Sequence, residues 1–122
     1  MSRDVDGITQ ISTDELKAII TNQAKEPIII DVREVDEYED GHLPGVPLIP
    51  MNVIPTMVDQ LDQSKSYLLI CRSGRRSQNT ALYMKEQGFA NVRNYEGGML
   101  DWDGELTFGQ EWIVKDPKEL DT

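Results

Sequence analysis

Cysteine and histidine are almost missing from this chain: Cys71 and His42 are the single examples in 122 residues. One cysteine excludes an intrachain disulfide, so packing has to hold the fold. That suits a reducing compartment, and a cytoplasmic setting is expected. Long apolar runs are lacking too. None approaches the roughly 20 residues that span a bilayer, and residues 1–10 are polar and charged, without the apolar heart of a secretory signal. Basic residues are scarce, 12 lysines and arginines against 22 aspartates and glutamates, for a formal net charge of −10. Nucleic acids and anionic membranes reward basic surfaces, so neither is expected as a partner. The acids are spread along the chain and read as a solvated surface. Internal repeats are absent, and 122 residues with 39% hydrophobic content suffice for a single domain with one core.

What is present is concentrated in one stretch. Tyr67-Leu68-Leu69-Ile70 is a short apolar run closed by a turn signal, which predicts a buried strand. Cys71-Arg72-Ser73-Gly74-Arg75-Arg76-Ser77 follows, and helical spacing then runs through Ala81, Leu82 and Met84 to a stop at Gly88. The cysteine thus lies where a strand passes into a helix. Unpaired backbone N–H groups collect at a helix N-terminus, and small residues such as Ser73 and Gly74 let more of them turn inward. Such a pocket favours an anion, either the thiolate of Cys71 or an oxyanion substrate. A free thiol is only about 3% ionised at neutral pH, and making it mostly thiolate takes about 2.7 kcal/mol. A helix dipole supplies only about 0.3–1 kcal/mol. The remainder has to come from N–H donors and from the field of Arg72, Arg75 and Arg76.

Elsewhere the pattern alternates strand and helix. Ile8-Thr9-Gln10-Ile11 predicts a strand, and Ser12 with Glu15 forms a capping box ahead of Leu16, Ile19 and Ile20 on one helical face, ending near Asn22. Ile28 to Val32 is apolar without alternation, which predicts a central strand covered on both faces. Glu34 to Asp40 fits a brief helix stopped by Gly41, with Glu34 and Glu37 able to pair with the loop arginines if they face them but expected to be solvated. Residues 52–61 carry Ile54, Met57, Val58 and Leu61 on one face, and Pro55 is tolerable there only in a first turn. Val92-Arg93-Asn94-Tyr95 predicts a last strand, and Trp112-Ile113-Val114 a docking segment before a frayed end over residues 115–122. Alternation of this kind implies an α/β domain with a mostly parallel sheet, right-handed crossovers, and the site at the carboxyl end of a central strand.

Cys71-Arg72-Ser73-Gly74-Arg75-Arg76-Ser77 after an apolar strand resembles the active-site loop of single-domain rhodaneses, sulfurtransferases that carry sulfur as a cysteine persulfide. Asp31-Val32-Arg33-Glu34, Glu37-Tyr38, Gly41-His42-Leu43-Pro44-Gly45, and Gly97-Gly98 followed by Trp102 are similar to further motifs of that family, in the family's order, over about residues 8–103. The resemblance implies one rhodanese-like domain, an α/β fold with a central, mostly parallel, five-stranded sheet and helices on both faces, with a C-terminal extension over residues 104–122. It implies Cys71 as the nucleophile, residues 72–77 as the binding loop, and structural support from Asp31 and Arg33. The implied substrate is a small anionic sulfur donor, thiosulfate or a persulfide, and the acceptor is cyanide or a thiol such as that of a thioredoxin-like protein. No cofactor and no metal are implied. His42 invites a general-base role, but it lies in a Gly-Pro turn, and an ordering role there is the expectation. Gly97 and Gly98 are expected to wall the site, with Trp102 as core filler beneath.

Two other classes use such a loop. Cysteine phosphatases and arsenate reductases of related fold carry an arginine one position beyond Arg76, where this chain has Ser77, so the shorter loop favours sulfur over a tetrahedral oxyanion. A non-catalytic binding module usually has a degraded loop, which this one is not.

Overall fold

A computed structural model describes residues 3–121. Five strands form one sheet in the order β1-β2-β5-β4-β3, where β1 is Arg3–Val5, β2 Ile8–Ile11, β3 Ile28–Asp31, β4 Tyr67–Ile70 and β5 Val92–Tyr95. Strand β1 pairs antiparallel with β2, and the other pairings are parallel. Parallel neighbours need crossovers, and the helices supply them: α1 over Thr13–Asn22, α2 over Val35–Glu39, α3 over Ile54–Met57 and α4 over Arg75–Glu86.

Side chains alternate across each strand, so a fully buried strand feeds two cores. Strand β4 does this. Tyr67, Leu69 and Cys71 join Ala81 and Met84 of α4 and Ile54 of α3 on one face, while Leu68 and Ile70 meet Leu16 of α1 on the other. On α4, Ser77, Thr80, Ala81 and Met84 are buried at helical spacing. The Ser12 capping box forms as its spacing predicts, with Ser12 Oγ accepting from the Glu15 amide at 3.2 Å and the Glu15 carboxylate accepting from Ser12 N–H at 3.0 Å. Pro55 falls within the first turn of α3, where its missing donor costs nothing.

Two expectations are corrected, and one strand is unforeseen. Strand β3 is an edge strand, not a central one. Its apolar run reflects cover from the segment after the Gly41 turn, since Asp31 N–H donates to Pro47 O and Ile49 N–H to Asp31 O, both at 2.9 Å. Strand β1 was not foreseen, because Arg3-Asp4-Val5 lacks an apolar pattern and is recruited by a turn at Asp6 and Gly7, both with positive φ. The end of the described chain is not frayed. The Glu119 carboxylate accepts from the amides of Lys115 and Asp116, each at 2.8 Å, and from Trp112 Nε1 at 3.0 Å, which caps a 3₁₀ turn over Pro117–Asp121 and buries Pro117 and Leu120. Thr122 lies outside the described residues. Among the described residues no helix is long and apolar enough to cross a membrane.

Candidate active site

Cys71 stands immediately after β4, and α4 begins four residues on. Gly74 N–H donates to Cys71 Sγ at 3.1 Å, and Ser77 Oγ lies 3.2 Å from the same sulfur. The turn that aims this amide requires glycine. Gly74 has φ +89°, and a Cβ there would lie 2.0 Å from Glu96 O. Gly98 closes the other wall, for a Cβ on it would lie 2.3 Å from Arg72 O. Behind Gly98, Met99 N–H donates to Cys71 O at 2.9 Å and Leu100 N–H to Arg72 O at 3.0 Å, pinning the loop backbone from outside. Cys71 itself is 0% exposed, enclosed by the loop and the core.

The loop arginines part company. Arg72 and Arg75 are exposed, as is Ser73. Arg76 is half-buried, and its guanidinium grips the Glu37 carboxylate through both nitrogens, at 2.7 and 2.8 Å. The expectation of a solvated Glu37 is therefore corrected, while Glu34 is exposed as expected. Hydrogen bonding from Arg76 holds the Glu37 carboxyl down at about 2, against the opposing effect of burial, and Glu37 in turn raises Arg76. The bidentate geometry ties α2 to the first turn of α4, beside the cysteine.

The supporting residues lie in two buried clusters. Arg33 and Asp31 are 5% and 1% exposed. Arg33 Nε lies 3.1 Å from both Asp31 oxygens, and its Nη2 donates to Asp31 Oδ2 and to Gly41 O, both at 2.8 Å. The pair thus holds the Gly41 turn to the end of β3. His42 is fully buried and stacks on Tyr38 with ring centroids 3.6 Å apart. Its Nδ1 is 2.7 Å from Tyr38 O and its Nε2 2.9 Å from Glu111 Oε1, so the histidine faces the C-terminal segment. Glu111 also accepts from Gly45 N–H, and chiefly for that reason its carboxyl lies below its ordinary range. Trp102 sits half-buried at the rim of the α1-side core and not inside it, its Nε1 donating to Glu105 O at 2.9 Å.

A family model described as the rhodanese-like domain matches residues 12–105. This chain belongs to the rhodanese-like domain family. It is 47% identical over 98 residues to the Bacillus subtilis protein named "Putative sulfurtransferase YtwF", which covers 80% of this chain and 93% of that one. It is 26% identical over 95 residues to a protein of Allochromatium vinosum named sulfurtransferase, covering 78% of this chain and 88% of that one. Among solved structures, the crystal structure of a rhodanese-like domain protein from Staphylococcus aureus matches with TM-score 0.73 and 35% identity, over 82% of this chain and 97% of that one.

In this rhodanese-like domain, the sequence allowed Glu37 to pair with a loop arginine but favoured solvation, and it missed Glu111 as the partner of His42 and the pair Gln10 and Asn94. Nothing local settles the partner of either glutamate, because the partners lie 39 and 69 residues away. Gln10 and Asn94 did carry a signal. Each is a lone amide in a β-prone run, two residues from Ile8 and Val92 respectively, and period-two alternation turns both toward the α4 face.

Proposed function

We propose that this domain is a sulfurtransferase that takes a sulfane sulfur from a small anionic donor, thiosulfate or a persulfide, onto Cys71 and passes it to a thiol or cyanide. The observation carrying the proposal is the Gly74 N–H aimed at Cys71 Sγ from the N-terminus of the 12-residue α4. Likeness to proteins named sulfurtransferases supports the reaction class. In the loading step the Cys71 thiolate attacks the outer sulfur of thiosulfate. A new S–S bond forms, the donor S–S bond breaks, and sulfite leaves with the electron pair. In the second step an acceptor thiolate takes the outer sulfur and restores the Cys71 thiolate. Gly74 N–H and the field at the head of α4 stabilise the anionic sulfur. Arg72 and Arg75, exposed in an acidic chain, attract the donor.

The closed state of Cys71 favours one second reading, a rhodanese-like module that binds a partner and transfers nothing. Intact mass after incubation with thiosulfate separates the two. Sulfurtransferase action adds the mass of one sulfur to the wild type and none to Cys71→Ser at unchanged thermal stability. An unmodified wild-type chain, or a loaded Cys71→Ser chain, overturns the proposal.

A further inference from the structure

On the face toward α4, Gln10 of β2 pairs directly with Asn94 of β5, Asn94 pairs in turn with Leu69 of β4, and Cys71 follows on the same face just past the end of β4. Both amides are buried, at 4% and 2% exposure, as are Ser77 and Thr80 of α4. Backbone carbonyls can only accept, and they set the direction of every amide here. Gln78 Nε2 donates to Val5 O at 3.0 Å, so its Oε1 is the acceptor for Gln10 Nε2 at 2.7 Å. Gln10 Nε2 also donates to Ile8 O at 3.0 Å, which leaves Gln10 Oε1 to accept from Asn94 Nδ2 at 2.9 Å. Asn94 Nδ2 donates its other hydrogen to Gly74 O at 3.0 Å. Asn94 Oδ1 is therefore turned to Ser77 Oγ, at 2.5 Å, and can only accept from it.

Ser77 has one hydroxyl proton and two claimants, Asn94 Oδ1 and Cys71 Sγ. With the proton toward Asn94, the sulfur meets an oxygen lone pair and is satisfied as a neutral thiol donating to Ser77. With the sulfur ionised, the proton has to turn to Sγ, and a buried amide oxygen loses its donor. We infer that Asn94 is a positioning residue for Cys71, acting through the single Ser77 proton to oppose the free thiolate and favour the persulfide. The inference rests on the sulfurtransferase reading above. Once sulfur is loaded, the negative charge sits on the outer sulfur and Sγ is neutral. The Ser77 proton then returns to Asn94, so loading relieves what ionisation strained.

The ultraviolet absorbance of the thiolate tests this, with Cys71→Ser as baseline, and the lone cysteine makes the readout specific. Asn94→Leu removes the competing acceptor at similar volume, and its thiolate-to-thiol ratio at neutral pH should rise roughly three- to tenfold, the size of one net hydrogen bond. Ser77→Ala should lower the ratio, and adding Asn94→Leu to Ser77→Ala should change nothing further. An unchanged ratio in Asn94→Leu, or an equal rise in the Ser77→Ala background, overturns the inference. Should Asn94→Leu not fold, Asn94→Ala carries the same expectations. In the wild type the side-chain amide resonances of Asn94 should shift in step with loss of the thiol proton, and static resonances overturn the coupling. Sulfur loading is scored separately by mass. Coupling without loading overturns the sulfurtransferase reading and supports the link, whereas loading without coupling sinks the Asn94 inference alone.

Discussion

Gly74 and Gly98 stand where two backbones come closer than any side chain permits, Gly74 against Glu96 and Gly98 against Arg72. Gly74→Ala combines a left-handed residue with a backbone clash and should cost at least about 2 kcal/mol. Chemical denaturation checks this, and a loss below about 0.5 kcal/mol would mean that the loop adapts easily. The arginines separate by role. Arg75→Ala removes an exposed charge, so the thiosulfate KM should rise with kcat little changed and stability within about 0.5 kcal/mol of wild type. Arg76→Ala breaks the Glu37 pair and should lower stability by about 1 kcal/mol after allowing for its partial exposure. Equal KM effects from both, without a stability difference, would contradict that division. At this scale the chemistry was legible, because Cys71 and its glycine announce themselves. Which arginine is free was not, because Glu37 approaches from another element.

Helix α2 is only five residues long and cannot hold itself in water. The buried Tyr38, and the pair of Glu37 with Arg76, dock it beside α4. That pair makes stability depend on pH with a definite sign. Glu37 falls from 4.5 to about 2 in the folded protein, so its contribution is complete above about 4.5 and is lost as pH falls toward about 2. Glu37→Gln should be roughly 1 kcal/mol less stable near neutrality, after discounting for solvent, and the gap should close in acid. Denaturation midpoints measured across the acid range would show it, and parallel curves would refute the linkage. Helix α1 contrasts with α2. Its capping box and apolar face are local, so its start and end could be read from Ser12, Glu15 and the run to Asn22.

Across the whole molecule, the segment after Trp102 is fastened to the domain at several points. Thr107 and His42 exchange backbone hydrogen bonds at 2.8 and 2.9 Å, Val114 N–H donates to Leu48 O at 3.0 Å, and Leu120 is buried at 8% exposure. Leu120→Ala should therefore lower the midpoint of a single cooperative transition, by about 2 kcal/mol in stability. An unchanged midpoint, or a separate early transition, would show the segment melting on its own. The docking of Trp112-Ile113-Val114 was legible in its apolar run, whereas that of residues 115–121 was not, since they are mostly charged and one carboxylate, Glu119, organises them. By itself the sequence determined the alternation of strands and helices, their approximate limits, and the placing of the cysteine at a strand-to-helix turn. Those follow from periodicity, capping and turn chemistry, which act between near neighbours. The tertiary structure alone decided that β3 lies at the edge, that Arg76 is engaged while Arg75 is free, that Cys71 is enclosed, and that one serine hydroxyl lies within reach of both a sulfur and an amide oxygen. Each of these depends on groups far apart along the chain meeting where water is excluded, and no local pattern encodes such a meeting.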